Sequence, residues 1–362
     1  MSDPRDEPAA AYRPRVLVVD DSAPQRGAIA QFLEDGGCDV VGRAMDGVAA
    51  LSMVDELNPD VITCDLEMPR MDGFTFLRVL SKLRATPVIV ITCDARPESA
   101  LMALELGARD FVVKPARVSD LHQMEQQLIA RIRGLVLPHV DDGRALSRSA
   151  PAMPLHCSVV VIGASTGGPK ALRDIFGQVK SPPIMPVLIA QHMPPRFTEA
   201  FADRLRKASH LEIKEAVAGE IVRPGHIRVA PGGKHLRVEG FVDDAVKVGI
   251  LEAQAQDRWI PSVDILLRSA AAFARDKLLG VVLTGMGKDG TEGARALRDV
   301  GAPLWTESSI SAAIDGMPQS AAAAHGAADR IPLQEMATHL ARVFRGEGRT
   351  APAVLQPGRS IV

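Results

Sequence analysis

The sequence predicts an α/β protein of two doubly wound, parallel-sheet domains joined by a linker, and three observations carry that prediction. Short, β-branched, almost uncharged runs alternate with segments of helical spacing, first over residues 15–133 and again from residue 158 onward. A stretch rich in Pro, Ser, Asp and Gly separates the two sets. The length of 362 residues exceeds what one core organises, at about 150 residues per domain.

In the first set the runs are Val16–Val19, Val40–Gly42, Val61–Cys64, Val88–Thr92 and Phe111–Val113. Between them apolar residues recur at helical spacing, as in Ala28, Ile29, Phe32 and Leu33, so five βα units are expected. A last helix over about Val118–Arg133 closes this domain. Residues 134–154, with Pro138, Asp141, Asp142, Gly143, Pro151 and Pro154, read as the linker. Runs resume at Ser158–Ile162, Pro186–Ala190, Ile227–Ala230 and Gly280–Leu283, while His235–Glu239 and Ala245–Leu251 read as an added hairpin. The second domain is expected over residues 155–345. Residues 1–14 read as disordered, and 346–362 as a flexible tail.

Composition narrows the function classes. Hydrophobic residues make up 46% and charged residues 24%, which suffices for two cores. A net charge of −2 supplies no global basic field for nucleic acid or an anionic membrane, and no basic recognition helix follows the linker. No apolar run approaches about 18 residues, and the polar start lacks a signal-peptide core, so no membrane insertion is expected. Cys38, Cys64, Cys93 and Cys157 lie far apart, consistent with free thiols in a reduced, cytoplasmic protein.

In an open α/β sheet, ligands bind beyond the carboxyl ends of the strands. The first domain's runs end in Asp20 and Asp21, in Asp65, in Thr92, and in Lys114 followed by Pro115. Three crowded carboxylates repel unless a cation joins them, and hard oxygen ligands suit Mg²⁺ on Asp20, Asp21 and Asp65. An Asp65 oxygen can then attack a phosphoryl donor, with Lys114 and the Thr92 hydroxyl holding the new phosphate oxygens. With Val18–Ser22, Asp65–Pro69, Met71–Gly73, Thr92 and Lys114-Pro115, this region resembles the flavodoxin-like receiver domains of two-component response regulators. The resemblance implies Asp65 as phosphoacceptor and a histidine kinase as phosphodonor. Pro24 departs slightly from the pattern, in a helix's opening turn where proline is tolerated.

The second domain's first run ends in Gly163-Ala164-Ser165-Thr166-Gly167-Gly168, a turn that exposes the Ser165 hydroxyl between strand and helix. A phosphate-binding glycine turn has the same pattern. Serine needs an adjacent base, and the next run ends in Gln191-His192, after one helix over about Lys170–Val179. His226 and His235 lack such a partner and read as structural. An orienting acid is supplied by Asp289, in the glycine-rich loop after Val281–Thr284, while Asp264 and Asp315 read as helix-start or turn residues.

With Gln191–Pro194, Pro261–Asp264, Leu283–Gly290 and Gly316–Pro318, these stretches resemble the catalytic domain of chemotaxis protein-glutamate methylesterases, also glutaminases. The resemblance implies Ser165 as nucleophile, His192 as base and Asp289 as orienter, with backbone N–H groups near Thr166 and Met286 as candidate oxyanion donors. It further implies methyl-accepting chemoreceptors as substrate, no cofactor for the ester chemistry, and a receiver that covers the active edge until Asp65 is phosphorylated. The stretch Trp305-Thr306-Glu307 departs from the family, which usually has an Ala-Gln pair there, and is expected near the substrate side.

Overall fold

The structure, a computed structural model, describes residues 12–93, 97–114, 121–136, 151, 153 and 156–347. The chain divides into two compact units, Met1–Asp142 and Gly143–Val362.

The first unit alternates β1 (Arg15–Val19), α1 (Ala23–Asp35), β2 (Asp39–Ala44), α2 (Gly47–Leu57), β3 (Val61–Asp65), α3 (Gly73–Leu83), β4 (Val88–Cys93), α4 (Pro97–Glu105), β5 (Asp110–Lys114) and α5 (Leu121–Val136). All strand pairs are parallel, in the order β2-β1-β3-β4-β5. The uncharged runs are buried as their composition requires: Val16, Val18, Ile89 and Ile91 pack with Ile29, Leu33, Leu128 and Ile132 in one core. Helix starts follow local chemistry, since Asp46 and Asp72 accept the Ala49 and Thr75 amides at 2.9 and 2.7 Å. Pro24 lies in the first turn of α1.

Two boundaries differ from expectation. Helix α5 runs to Val136, three residues into the predicted linker, because Leu135 and Val136 still pack against the core. Helix α6 (Gly168–Phe176) starts two residues before the expected Lys170, where Pro169 suits a first turn, and ends three residues before the expected Val179, capped by Gly177. The predicted disordered residues 1–11, Pro115 and Val118, most of the linker and the tail beyond Glu347 lie outside the described residues.

The second unit holds β6 (Val159–Ala164), α6, β7 (Val187–Gln191), α7 (Phe197–Ser209), β8 (Glu212–Glu215), β9 (Ile221–Val222) and β10 (His226–Val229). There follow β11 (Lys234–Val242), β12 (Ala245–Glu252), α8 (Val263–Ala274), β13 (Leu278–Val282), α9 (Thr291–Val300), β14 (Leu304–Glu307), α10 (Gly316–His325), β15 (Asp329–Ile331) and α11 (Leu333–Phe344). Seven parallel strands run in the order β15-β14-β13-β6-β7-β10-β8. The expected hairpin is β11 and β12, with β9 added as a third antiparallel strand. Leu236, Val238, Val246 and Val248 from this small sheet bury against Leu266, Leu267 and Ala270 of α8, so α8 has sheet on both sides.

Strand order decides which loops meet. β6 lies between β13 and β7, with Gly163 opposite both Val282 and Ala190, so the three carboxyl ends are level. Loops leaving these strands converge on one crevice.

Candidate active site and phosphoacceptor site

Ser165 leaves β6 in a turn closed by Gly168 N–H donating to the Ser165 carbonyl at 2.7 Å, with Gly167 at φ 80°, a backbone that glycine adopts freely. The turn is held from both neighbouring strands. Gln191, 1% exposed at the end of β7, donates from Nε2 to the Ser165 and His192 carbonyls at 3.0 and 3.1 Å. From the β13 side, Ser165 N–H donates to the Thr284 carbonyl at 3.0 Å, and Thr284 Oγ1 to the Thr166 carbonyl at 2.9 Å. Gly285 has no room for a side chain: a Cβ there would meet Met317 Sδ at 2.4 Å and Ser165 Cβ at 2.7 Å.

The structure brings Ser165, His192 and Asp289 together. His192 Nδ1 lies 3.1 Å from Ser165 Oγ, and its Nε2 lies 2.7 Å from Asp289 Oδ2. Asp289 is 1% exposed, and each carboxylate oxygen serves several donors. Oδ2 also accepts Val263 N–H at 2.7 Å, while Oδ1 accepts Asp264 N–H at 2.9 Å, Ser262 Oγ at 3.1 Å and Gly290 N–H at 3.1 Å. Burial opposes the charge, yet the His192 bond and the amides at the start of α8 hold this carboxyl below the ordinary range. A carboxylate at Nε2 favours the tautomer with its proton there, leaving Nδ1 as acceptor toward the serine. Chemically, this hydrogen-bonded line offers a hydroxyl able to act as nucleophile, an imidazole able to take its proton and a carboxylate able to orient that imidazole.

The candidate oxyanion donors flank the serine. Thr166 is 4% exposed directly after it. Met286, half-buried, lies between Gly285 and Gly287, and its N–H has no protein acceptor among the described residues.

Other residues stand where the sequence suggested, differ from that reading, or were missed. Asp264, read as a helix-start residue, does lie in the first turn of α8; its Oδ1 also accepts Gly293 N–H at 2.7 Å. Burial, with Asp289 beside it, pushes its carboxyl up to about 6. Asp315, read the same way, is the N-cap residue of α10, and its carboxylate is bound by Arg330 at 2.7 and 2.6 Å. Trp305-Thr306-Glu307, expected near the substrate side, is the fully buried strand β14. Glu307 faces inward because it accepts Thr284 N–H and Ser311 Oγ, both at 2.9 Å, and burial pushes its carboxyl up. Three residues that sequence reasoning missed surround the triad: Gln191 beneath the turn, Ser262 on Asp289, and Trp259, whose ring lies parallel to His192 at 5.4 Å. Only Gln191 had a local signal, its place beside His192 at a strand end.

In the first unit, ligand oxygens of Asp20, Asp21 and Asp65 lie within 4.8 Å of one another. Asp20 is buried, Asp65 half-buried and Asp21 exposed. Lys114 Nζ donates to Asp65 Oδ2 at 2.5 Å, Gln25 Oε1 at 2.8 Å and Asp20 Oδ2 at 3.2 Å. Burial works against the lysine's charge, but its bond to Asp65 and the two carboxylates raise its pKa overall. Asp20 is pushed up, chiefly by burial, despite Lys114. Thr92 is buried near the end of β4, one residue before the Cys93–Lys114 strand pair. An all-carboxylate cluster whose buried member resists ionisation fits a hard divalent cation.

Comparison with known proteins agrees with both halves. The CheB methylesterase family matches residues 160–340, and the response regulator receiver domain matches residues 16–126. The chain is 41% identical over 343 residues to "Protein-glutamate methylesterase/protein-glutamine glutaminase 1" of Myxococcus xanthus, covering 91% of this chain and 97% of that protein. It is 43% identical over 325 residues to the protein so named and numbered 6 in Anaeromyxobacter dehalogenans, covering 88% and 91%. Among solved structures, the Thermotoga maritima CheB methylesterase catalytic domain is 36% identical, covers 52% of this chain and 98% of that one, and has a TM-score of 0.49.

Proposed function

The chain belongs to the CheB methylesterase family and carries a response regulator receiver domain, and from that premise we propose that it is a phosphorylation-regulated serine hydrolase acting on chemoreceptors. Its substrates are glutamate γ-methyl esters, which it demethylates, and glutamine side chains, which it deamidates. The observation carrying this reading is the single imidazole bonded to Ser165 Oγ on one side and Asp289 on the other.

The serine oxygen attacks the ester carbonyl carbon while His192 Nδ1 takes its proton, and Asp289 stabilises the imidazolium. The tetrahedral oxyanion accepts hydrogen bonds from the Thr166 and Met286 amides. His192 returns the proton to the departing methoxide, so methanol leaves and an acyl-serine remains. Water, deprotonated by His192, then attacks that acyl carbon, releasing glutamate and restoring Ser165. With glutamine the leaving group is ammonia.

In the receiver, Asp65 accepts a phosphoryl group from a histidine kinase, and Lys114 and Thr92 hold its oxygens. Asp20, Asp21 and Asp65 would hold Mg²⁺, which when bound offsets the charge of the transferring group. Phosphorylation relieves a restraint that the receiver exerts on the hydrolase. The reading puts the protein in the cytoplasm, with its receptor substrates; among the described residues no helix is long and apolar enough to cross a membrane.

Methanol release from methylated receptor membranes tests both halves. Wild type is expected to release methanol faster with phosphodonor, Asp65→Asn only at the basal rate, and Ser165→Ala not at all. Wild-type turnover by Ser165→Ala would overturn the reading.

A further inference from the structure

The stretch 253–262 between β12 and α8 has no helix or strand of its own, yet it is clamped. His235 of β11 is 2% exposed, and its Nδ1 accepts Ser262 N–H at 3.0 Å. That bond leaves the ring proton on Nε2, 2.9 Å from Asp257 Oδ2. Asp257 Oδ2 also accepts Gln254 N–H at 2.7 Å. One buried imidazole therefore ties Asp257 and Ser262, on either side of Trp259, to the small sheet, and Ser262 Oγ continues the line to Asp289.

Between the clamped ends lies Trp259. Its indole stacks on His192 with ring centroids 5.4 Å apart and planes 8° from parallel. Gly287 lies against the indole edge, where a Cβ would come within 2.5 Å of the ring. The imidazole's two hydrogen bonds run along a line through Nδ1 and Nε2, which leaves tilting about that line weakly opposed. A parallel ring against its face opposes that tilt and shields it from water.

We propose that Trp259 is a positioning residue for His192, and that His235 acts through it by fixing the stretch that carries it. This rests on the reading of Ser165 and His192 as nucleophile and base. Because Trp259 meets the base rather than the ester, its loss changes kcat more than KM.

The test uses the full chain, with methanol release as the kinetic readout. Trp259→Ala is expected to lower kcat about three- to tenfold with KM nearly unchanged, and Trp259→Phe to restore most of it. The chain has two tryptophans, so Trp305→Phe leaves Trp259 as the sole tryptophan, excited selectively over the single tyrosine. In that background, His192→Leu should change the emission intensity. His235→Ala should shift the emission to the red and lower kcat, whereas His235→Asn, whose Oδ1 can replace Nδ1 as acceptor, should spare both. Unchanged kcat in Trp259→Ala, or a rise confined to KM, overturns the proposal, as does Trp259 emission indifferent to His192. Ser165→Ala separates the failures: if it is inactive while Trp259→Ala is normal, only the role given to Trp259 falls; if it is active, the reading of the site falls first.

Discussion

Replacing Asp289 by Asn separates the charge of the orienting residue from its shape. Its Oδ1 serves Ser262 Oγ, Asp264 N–H and Gly290 N–H, and its Oδ2 serves His192 Nε2 and Val263 N–H. An asparagine has one acceptor oxygen and can satisfy only one of these sets. With that oxygen on the Oδ1 side, one amide, Val263 N–H, is stranded; the reverse orientation strands two amides and a hydroxyl. Each stranded buried donor costs about 1–3 kcal/mol, so the first orientation wins. There the asparagine NH₂ faces His192 Nε2, which must become the bare nitrogen, and the proton moves to Nδ1 beside Ser165. A protonated Nδ1 cannot take the serine proton. Asp289→Asn is therefore expected to fold, losing about 1–3 kcal/mol of a total near 5–15. Its kcat should fall about 10³–10⁴-fold. Urea denaturation measures the first quantity and methanol release from methylated receptors the second. A folded variant working within about tenfold of wild type would refute the tautomer argument.

Other substitutions probe other parts of the structure. The Asp264 carboxyl, raised to about 6 chiefly by burial, contributes stability that is present below about pH 4 and lost as pH rises to about 6. Asp264→Asn should therefore be the more stable form above that window, by about 1 kcal/mol once solvent screening of this partly exposed group is discounted; denaturant midpoints at several pH values check it. Gly285→Ala places a methyl against Ser165 Cβ and Met317 Sδ, and is expected to cost about 1–3 kcal/mol and up to about 10²-fold in kcat, read by thermal melting and turnover. Glu307→Leu strands the buried Thr284 N–H and should cost about 1–3 kcal/mol, whereas Glu307→Gln, which keeps an acceptor, should cost less in the same urea assay. Lys114→Met removes the cation between Asp20 and Asp65, and is expected to cut radiolabelled phosphate on Asp65 at least about tenfold while Ser165-dependent basal turnover continues.

Much of this architecture was legible because parallel strands buried on both faces read as uncharged runs. Val159–Ile162 and Val187–Ala190 announce themselves, and Ser165 and His192 stand just beyond their ends. Strand β14 was less visible. Trp305-Thr306-Glu307 hides a strand because its carboxylate is satisfied by an amide more than twenty residues earlier, which no local pattern reports. Trp259 and Ser262 were unreadable for the same reason: both act across long sequence separations, from a stretch without periodicity. Leu135 and Val136 show the converse, two apolar residues that keep α5 going where a proline-rich stretch suggested an end.

The strand order also sets a timetable for synthesis. Ser165 and His192 are 27 positions apart on neighbouring strands, whereas Asp289 comes 97 positions after His192, once the small antiparallel sheet and α8 have been made. At about 5–20 residues per second the ribosome delivers that acid roughly 5–20 s after the histidine. During that interval the nascent chain holds a serine and an imidazole without the carboxylate that anchors the imidazole's far nitrogen. Strand β13, which must seat beside β6 and then receive β14, is what completes the line. The hydrolase is thus assembled last at its orienting end, after its receiver has emerged from the ribosome.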